Sequence, residues 1–182
     1  LLKMNASDTV LDKIQVVQSV SDLNIPGIDP KANPKGVYHD GKVFLIADNI
    51  KDDRDARMAA AHELIGHKGV LDAATKQEWS AMKDSITAIV TAGSPRAKDM
   101  WTEVSRRYKG SSQDVLAKEF LAIAAERKVT DGALGRLVKQ FKEILRRTLK
   151  TFGFDKPFSD SEIDIILSNS EKYLAKDTAP AK

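Results

Sequence analysis

The chain has 182 residues, 42% of them hydrophobic and 30% charged, with a formal net charge of +3. That length and balance suit one globular domain with a real core and leave little room for two. It contains no cysteine, which excludes disulfides and thiolate ligands and leaves metal binding to histidine and carboxylate, and no apolar run reaches the roughly 20 residues that a membrane-spanning helix needs.

The opening Leu1-Leu2-Lys3-Met4-Asn5 lacks the charged and apolar regions of a signal peptide, so a cytoplasmic location is expected. A chain that does not start with Met is expected to be a piece of a longer one. Val10-Leu11, Ile14, Val16-Val17 and Val20 predict a short helix or strand, followed by a loop punctuated by Pro26-Gly27, Pro30 and Pro34. Residues 1–36 are read as an N-terminal segment ahead of the main domain.

Val37-Tyr38-His39 and the run from Lys42 to Ala47 flank Asp40-Gly41, the pairing of a two-residue turn, and predict a small antiparallel hairpin. Asp52, Asp53 and Asp55 then supply an N-cap and first-turn carboxylates for a helix that runs through Met58 to Ala61 into His62-Glu63-Leu64-Ile65-Gly66-His67, with Gly69 as C-cap. Further helical patterns cover 73–91, 96–108, 112–128 and 134–151, separated by Gly93-Ser94-Pro95, Lys109-Gly110-Ser111 and Asp131-Gly132. Ser159-Asp160-Ser161-Glu162 announces a last short helix, and the end from Ala175 reads as frayed. The fold class predicted is α+β, helix-rich with a small antiparallel sheet, the domain spanning 37–174 and a tail 175–182.

Charge is unevenly spread. Residues 96–150 hold 14 Lys/Arg against 7 Asp/Glu, a local excess that either solvates helix faces or attracts nucleic acid and acidic partners. Within it, Leu134, Leu137, Val138, Phe141, Ile144, Leu145 and Leu149 form an amphipathic stripe, with Arg136, Lys139, Lys142, Arg146, Arg147 and Lys150 mainly on the other side.

The histidine motif carries the chemistry. It holds two of the three histidines of the chain, but one residue further apart than in H-E-x-x-H. Residues five apart on a regular helix differ by roughly 140°. Joint binding of one ion therefore requires a π-bulge, or a helix that ends just before His67, and Gly66 eases either distortion. Two imidazoles and a carboxylate suit Zn2+ with a water in the fourth position, and Glu63 is the candidate general base for that water. The chemistry implied is metal-assisted hydrolysis, most naturally of a peptide bond. The third ligand is expected from a later helix, with Glu119, amid Val115, Leu116, Phe120 and Ile123, favoured over Glu126 near the helix end. Tyr108 as an oxyanion donor and His39 as a ligand are weaker candidates, better read as a packing residue and a solvent-facing turn residue.

The runs Gly41 to Ile50, Ala61 to Val70 and Ala117 to Ala122, with the stretch from Phe152 to Ile163, resemble the zincin-like metallopeptidase domain found in large polyvalent proteins of phages and other mobile elements. The resemblance spans roughly residues 37 to 170. His62-Glu63-Leu64-Ile65-Gly66-His67 is also similar to the H-E-L-L-G-H motif of dipeptidyl peptidase III, over the motif alone. Together they imply zinc on His62, His67 and Glu119 with Glu63 as base; Lys68, directly after the second histidine, departs from the pattern.

The sequence thus points to a zinc metallopeptidase with a peptide or protein substrate, a module of a larger mobile-element protein that acts in the cytoplasm or is delivered into a host cell, with no membrane contact. The alternative from a different class is a non-catalytic interaction or nucleic-acid-associated module that uses the basic 96–150 segment. It predicts binding that falls when Arg146 and Arg147 are neutralised and is indifferent to Glu63.

Overall fold

In a computed structural model, Asp40 and Gly41 take positive φ angles of 48° and 81°, as a tight turn between right-twisted strands demands. They join strands β2 (Gly36–His39) and β3 (Lys42–Ile46) into the predicted antiparallel hairpin, with His39 opposite Lys42 and Gly36 opposite Leu45. The structure describes residues 11–168 apart from 24, 27, 29, 30, 32 and 69–73, with the side chains of 66–68 and 168 outside that description.

A third strand, β1 (Ile14–Val17), runs parallel to β3 from Ile14 opposite Val43 to Val17 opposite Ile46. The sheet order is β1-β3-β2, so the sheet is mixed where the sequence predicts an antiparallel one. A parallel partner comes from a distant connection rather than a tight turn, and nothing local in Ile14-Gln15-Val16-Val17 marks β3 as its neighbour. The central strand is the buried one: Val43, Leu45 and Ile46 are fully enclosed.

Six helices follow among the described residues: α1 (Asp53–Lys68), α2 (Lys76–Thr91), α3 (Pro95–Arg107), α4 (Gln113–Glu126), α5 (Gly132–Thr151) and α6 (Asp160–Ser168). Their starts follow local chemistry. Thr75 Oγ1 accepts from Glu78 N at 3.1 Å while Glu78 Oε2 takes Thr75 N at 2.9 Å, closing a capping box. Ser159 and Glu162 repeat this ahead of α6. The C-cap predicted at Gly69 lies outside the described residues.

Helix α4 forms the centre of the core, buried from Glu119 to Ala125 and packed against α3, α5 and α6. Helix α1 lies between the hairpin on one side and α6 on another, and Ala56, Ala60 and Ala61, all fully buried, keep that approach close. The apolar stripe of α5 is buried as predicted, from Leu134 to Leu149. No helix among the described residues is long and apolar enough to cross a membrane.

Arg57 ties α1 to the segment that leads into α6. Its guanidinium lies 3.5 Å from the Phe158 ring centroid and 5.9 Å from that of Phe154, donates to the carbonyl of Lys156, and sits 3.8 Å from Glu162 Oε1. A buried cation over an aromatic face is worth about 2 kcal/mol, and a charged hydrogen bond about 1.5–3 kcal/mol. Arg57→Ala is therefore expected to destabilise the protein by about 2–4 kcal/mol in urea unfolding at an unchanged m-value. Arg57→Lys should recover less than half, since a lysine cannot stack on Phe158 and reach the carbonyl together.

Candidate functional site

Helix α1 presents His62 and Glu63 to different neighbours, and both side chains are buried, at 7% and 4% exposure. His62 Nδ1 lies 2.8 Å from the Ile166 carbonyl of α6. A carbonyl only accepts, so Nδ1 carries a proton and donates it to Ile166. Glu63 turns toward the hairpin, where its carboxyl accepts from the backbone N–H of Tyr38. A Cβ at Gly36 would stand 2.8 Å from Glu63 Cγ, so glycine at this strand position makes room for the acid. Burial pushes the Glu63 carboxyl up to about 7, against the lowering effect of the Tyr38 N–H. The packing of Glu63 over Gly36 is invisible to sequence reading, which finds no pattern that pairs a strand glycine with a helix carboxylate.

Glu119 is 1% exposed on α4, with Lys118 Nζ 3.9 Å from its Oε1; Glu126, at the exposed end of the same helix, is a surface residue. His67 falls in the last turn of α1, its side chain outside the described residues. The helix runs as uninterrupted α-helix through Lys68, so neither the π-bulge nor the early end required for the histidine pair is present. Positions 62 and 67 stand roughly 140° apart about its axis. Among the described residues no group of three or more His, Asp or Glu is placed to hold a metal ion. Tyr108 caps α3 within the hydrophobic core, and the half-exposed His39 stands 3.4 Å from Asp40 beside the hairpin turn.

The basic segment divides into committed and available cations. Arg146 donates to the Phe158 carbonyl at 2.9 Å and pairs with Glu143 and Asp160. Arg147 pairs with Glu78 of α2 at 2.8 Å, and Lys142 with Asp164 at 2.6 Å. On α3 and α4, Glu103 takes Arg107 and Arg127, each at 2.5 Å, and Arg96 donates to the Arg127 carbonyl. Arg136 and Lys150 are exposed and have no ion pair among the described residues, and the exposed Lys139 adds its charge to the Arg146 hydrogen bond in lowering the Asp160 carboxyl.

A stretch of 98 residues, 51% of this chain, is 32% identical to a DNA primase TraC of Escherichia coli and spans 7% of the length of that protein. No protein-family model matches the chain, and no solved structure matches it.

These findings correct the reading drawn from the histidine motif. The relative is named as a DNA primase, and no family model supports membership among zincin-like metallopeptidases. The hydrolase, metalloprotease and zinc reading is therefore set aside. On the regular α1 positions 62 and 67 lie roughly 140° apart; with the His67 side chain outside the described residues, the set His62, His67 and Glu119 stands as an expectation from the sequence alone. Within the motif, His62 bonds α6 and Glu63 bonds β2.

Two measurements check these contacts. Gly36→Ala should cost about 1–3 kcal/mol through the clash with Glu63, and a double-mutant cycle with Glu63→Ala should return a coupling of similar size. The folded-state pKa of Glu63, about 7, lies above its ordinary 4.5, so the contribution of the neutral acid is complete below pH 4.5 and is lost as pH rises through 7. Chemical unfolding of Glu63→Gln should lack this decline, and its stability relative to wild type should grow between those limits by an amount on the order of 3 kcal/mol.

Proposed function

We propose that this chain is a nucleic-acid-associated interaction module of a larger protein, which contacts phosphate through its basic 96–150 segment. The observation that carries the reading is the 32% identity over 98 residues to a DNA primase TraC. The charge distribution supports it: that segment holds 14 Lys/Arg against 7 Asp/Glu, and Arg136 and Lys150 reach solvent without an ion pair among the described residues. Because the chain spans 7% of that relative, binding rather than strand synthesis is the activity assigned to it.

Sequence reasoning directs mutagenesis to Arg146 and Arg147, but both belong to the packing of α5 against α6 and α2. Changing them confounds binding with folding. The sound test is the salt dependence of binding to a labelled DNA, followed by anisotropy. The logarithm of the binding constant should fall linearly with the logarithm of salt concentration, by about 0.7–0.9 per phosphate neutralised. Glu63→Gln should leave the curve unchanged. Absence of binding at low salt, or binding insensitive to salt, overturns the proposal.

A further inference from the structure

The nucleic-acid reading leaves open which part of the basic segment meets the ligand and in which form. On α5 the neighbouring carboxylates answer most of the charge: Glu143 and Asp160 take Arg146, Asp164 takes Lys142, and Glu78 takes Arg147. Helix α3 differs. From Pro95 to Ser112 the chain carries five Lys/Arg against Asp99 and Glu103, and the end of α4 adds Arg127 and Lys128 against Glu126. Glu103 is shared between Arg107 and Arg127, whose side chains are each 42% exposed. The Arg127 hydrogen bond, and then the charges of Arg127, Arg107 and Arg106, hold the Glu103 carboxyl below its usual range. One negative charge does not balance three guanidiniums, each with five N–H donors. Lys98, Lys109 and Lys128 are exposed and have no ion pair among the described residues, so the surplus of this surface is positive.

Ala97, Met100 and Val104 bury one side of α3, which packs on α4 and α2. The remaining arc, from Lys98 through Thr102, Arg106 and Asp99 to Arg96 and Arg107, sweeps about 180° of the helix surface over a length of about 20 Å. Lys98 lies on one flank of that arc. Arg96 and Arg107 lie on the other, joined there by Arg127, whose guanidinium reaches Glu103 and whose carbonyl accepts from Arg96. A helix with its side chains is about 10–12 Å across, and the major groove is about 12 Å wide with a sugar-phosphate backbone along each wall. Cations on both flanks of an exposed helix match those two rows of phosphates. Single strands are held instead on exposed rings that stack their bases. The rings of this region are otherwise engaged: Trp101 is half-buried and edge-on to Phe120, with centroids 5.6 Å apart, and Tyr108 lies in the core.

Resting on the nucleic-acid reading above, we propose that α3 is the helix by which this chain meets duplex DNA, lying along a major groove with Lys98 toward the phosphates of one strand and Arg107 and Arg127 toward those of the other. Arg106 stands on the crest between the flanks, and Asp99, exposed beside it, is the carboxylate that opposes the approach of phosphate.

The test uses a fluorescent duplex about 20 base pairs long, two helical turns, and one of its strands alone, followed by anisotropy at a fixed low salt. The variant Lys98→Gln/Arg106→Gln/Lys109→Gln is expected to bind the duplex about tenfold or more weakly and to lower the salt slope by about two to three. Asp99→Asn should tighten binding several-fold, a gain that misfolding does not produce. Arg136→Gln/Lys150→Gln, on the exposed side of α5, serves as the contrast and should match wild type. The single strand should bind at least about fivefold more weakly than the duplex. A loss from the α5 pair equal to or larger than that from the α3 variant overturns the assignment to α3 and leaves the nucleic-acid reading standing, as does equal or better affinity for the single strand. Failure of wild type to bind either probe overturns that reading itself.

Discussion

Helix α1 is held by groups that sit in apolar surroundings only because each has a partner on another element. The Arg57 guanidinium is stacked on Phe158 and bonded to the Lys156 carbonyl; the Glu63 carboxyl is bonded to the Tyr38 backbone and roofed by Gly36; the His62 ring is bonded to the Ile166 carbonyl. A buried polar group without a partner costs several kcal/mol. These three side chains therefore fix the distances from α1 to the hairpin, to the segment at 154–158 and to α6. The close-packed alanines of α1 supply the contact, and the polar groups supply the register.

The same logic governs the charges of α5. A cation near a carboxylate of a neighbouring helix is used to fix that neighbour, as with Lys142 and Asp164 or Arg146 and Asp160. Arg136 and Lys150 have no such partner among the described residues and face solvent. Sequence composition does not separate the two groups, because both occupy the polar side of one amphipathic helix. The separation arises from where α2 and α6 dock, which in turn follows from the apolar stripe from Leu134 to Leu149.

The histidine motif shows how far residue patterns carry and where they stop. Its place on a helix after a hairpin and the burial of the later helix that carries Glu119 were legible from apolar periodicity and turn residues. The chemistry was not. A spacing of five requires a distorted helix to serve one ion, and whether a helix distorts is decided by its packing; α1, pressed against sheet and helix on separate sides, stays regular. The partial likeness to a DNA primase then moves the functional reading to the basic segment.

Local chemistry by itself determined the hairpin turn at Asp40-Gly41, the capped starts at Thr75 and Ser159, the buried stripe of α5 and the absence of cysteine chemistry, because each depends on residues within a few positions of one another. Tertiary structure alone decided that β1 lies parallel to β3, that Gly36 yields space to Glu63, that Arg57 is a buried clamp, and that Arg146 and Arg147 are spent on packing while Arg136 and Lys150 are not. Each of these joins residues far apart in the chain, where the partner is chosen by the closing of the core and not by any signal in the neighbouring sequence.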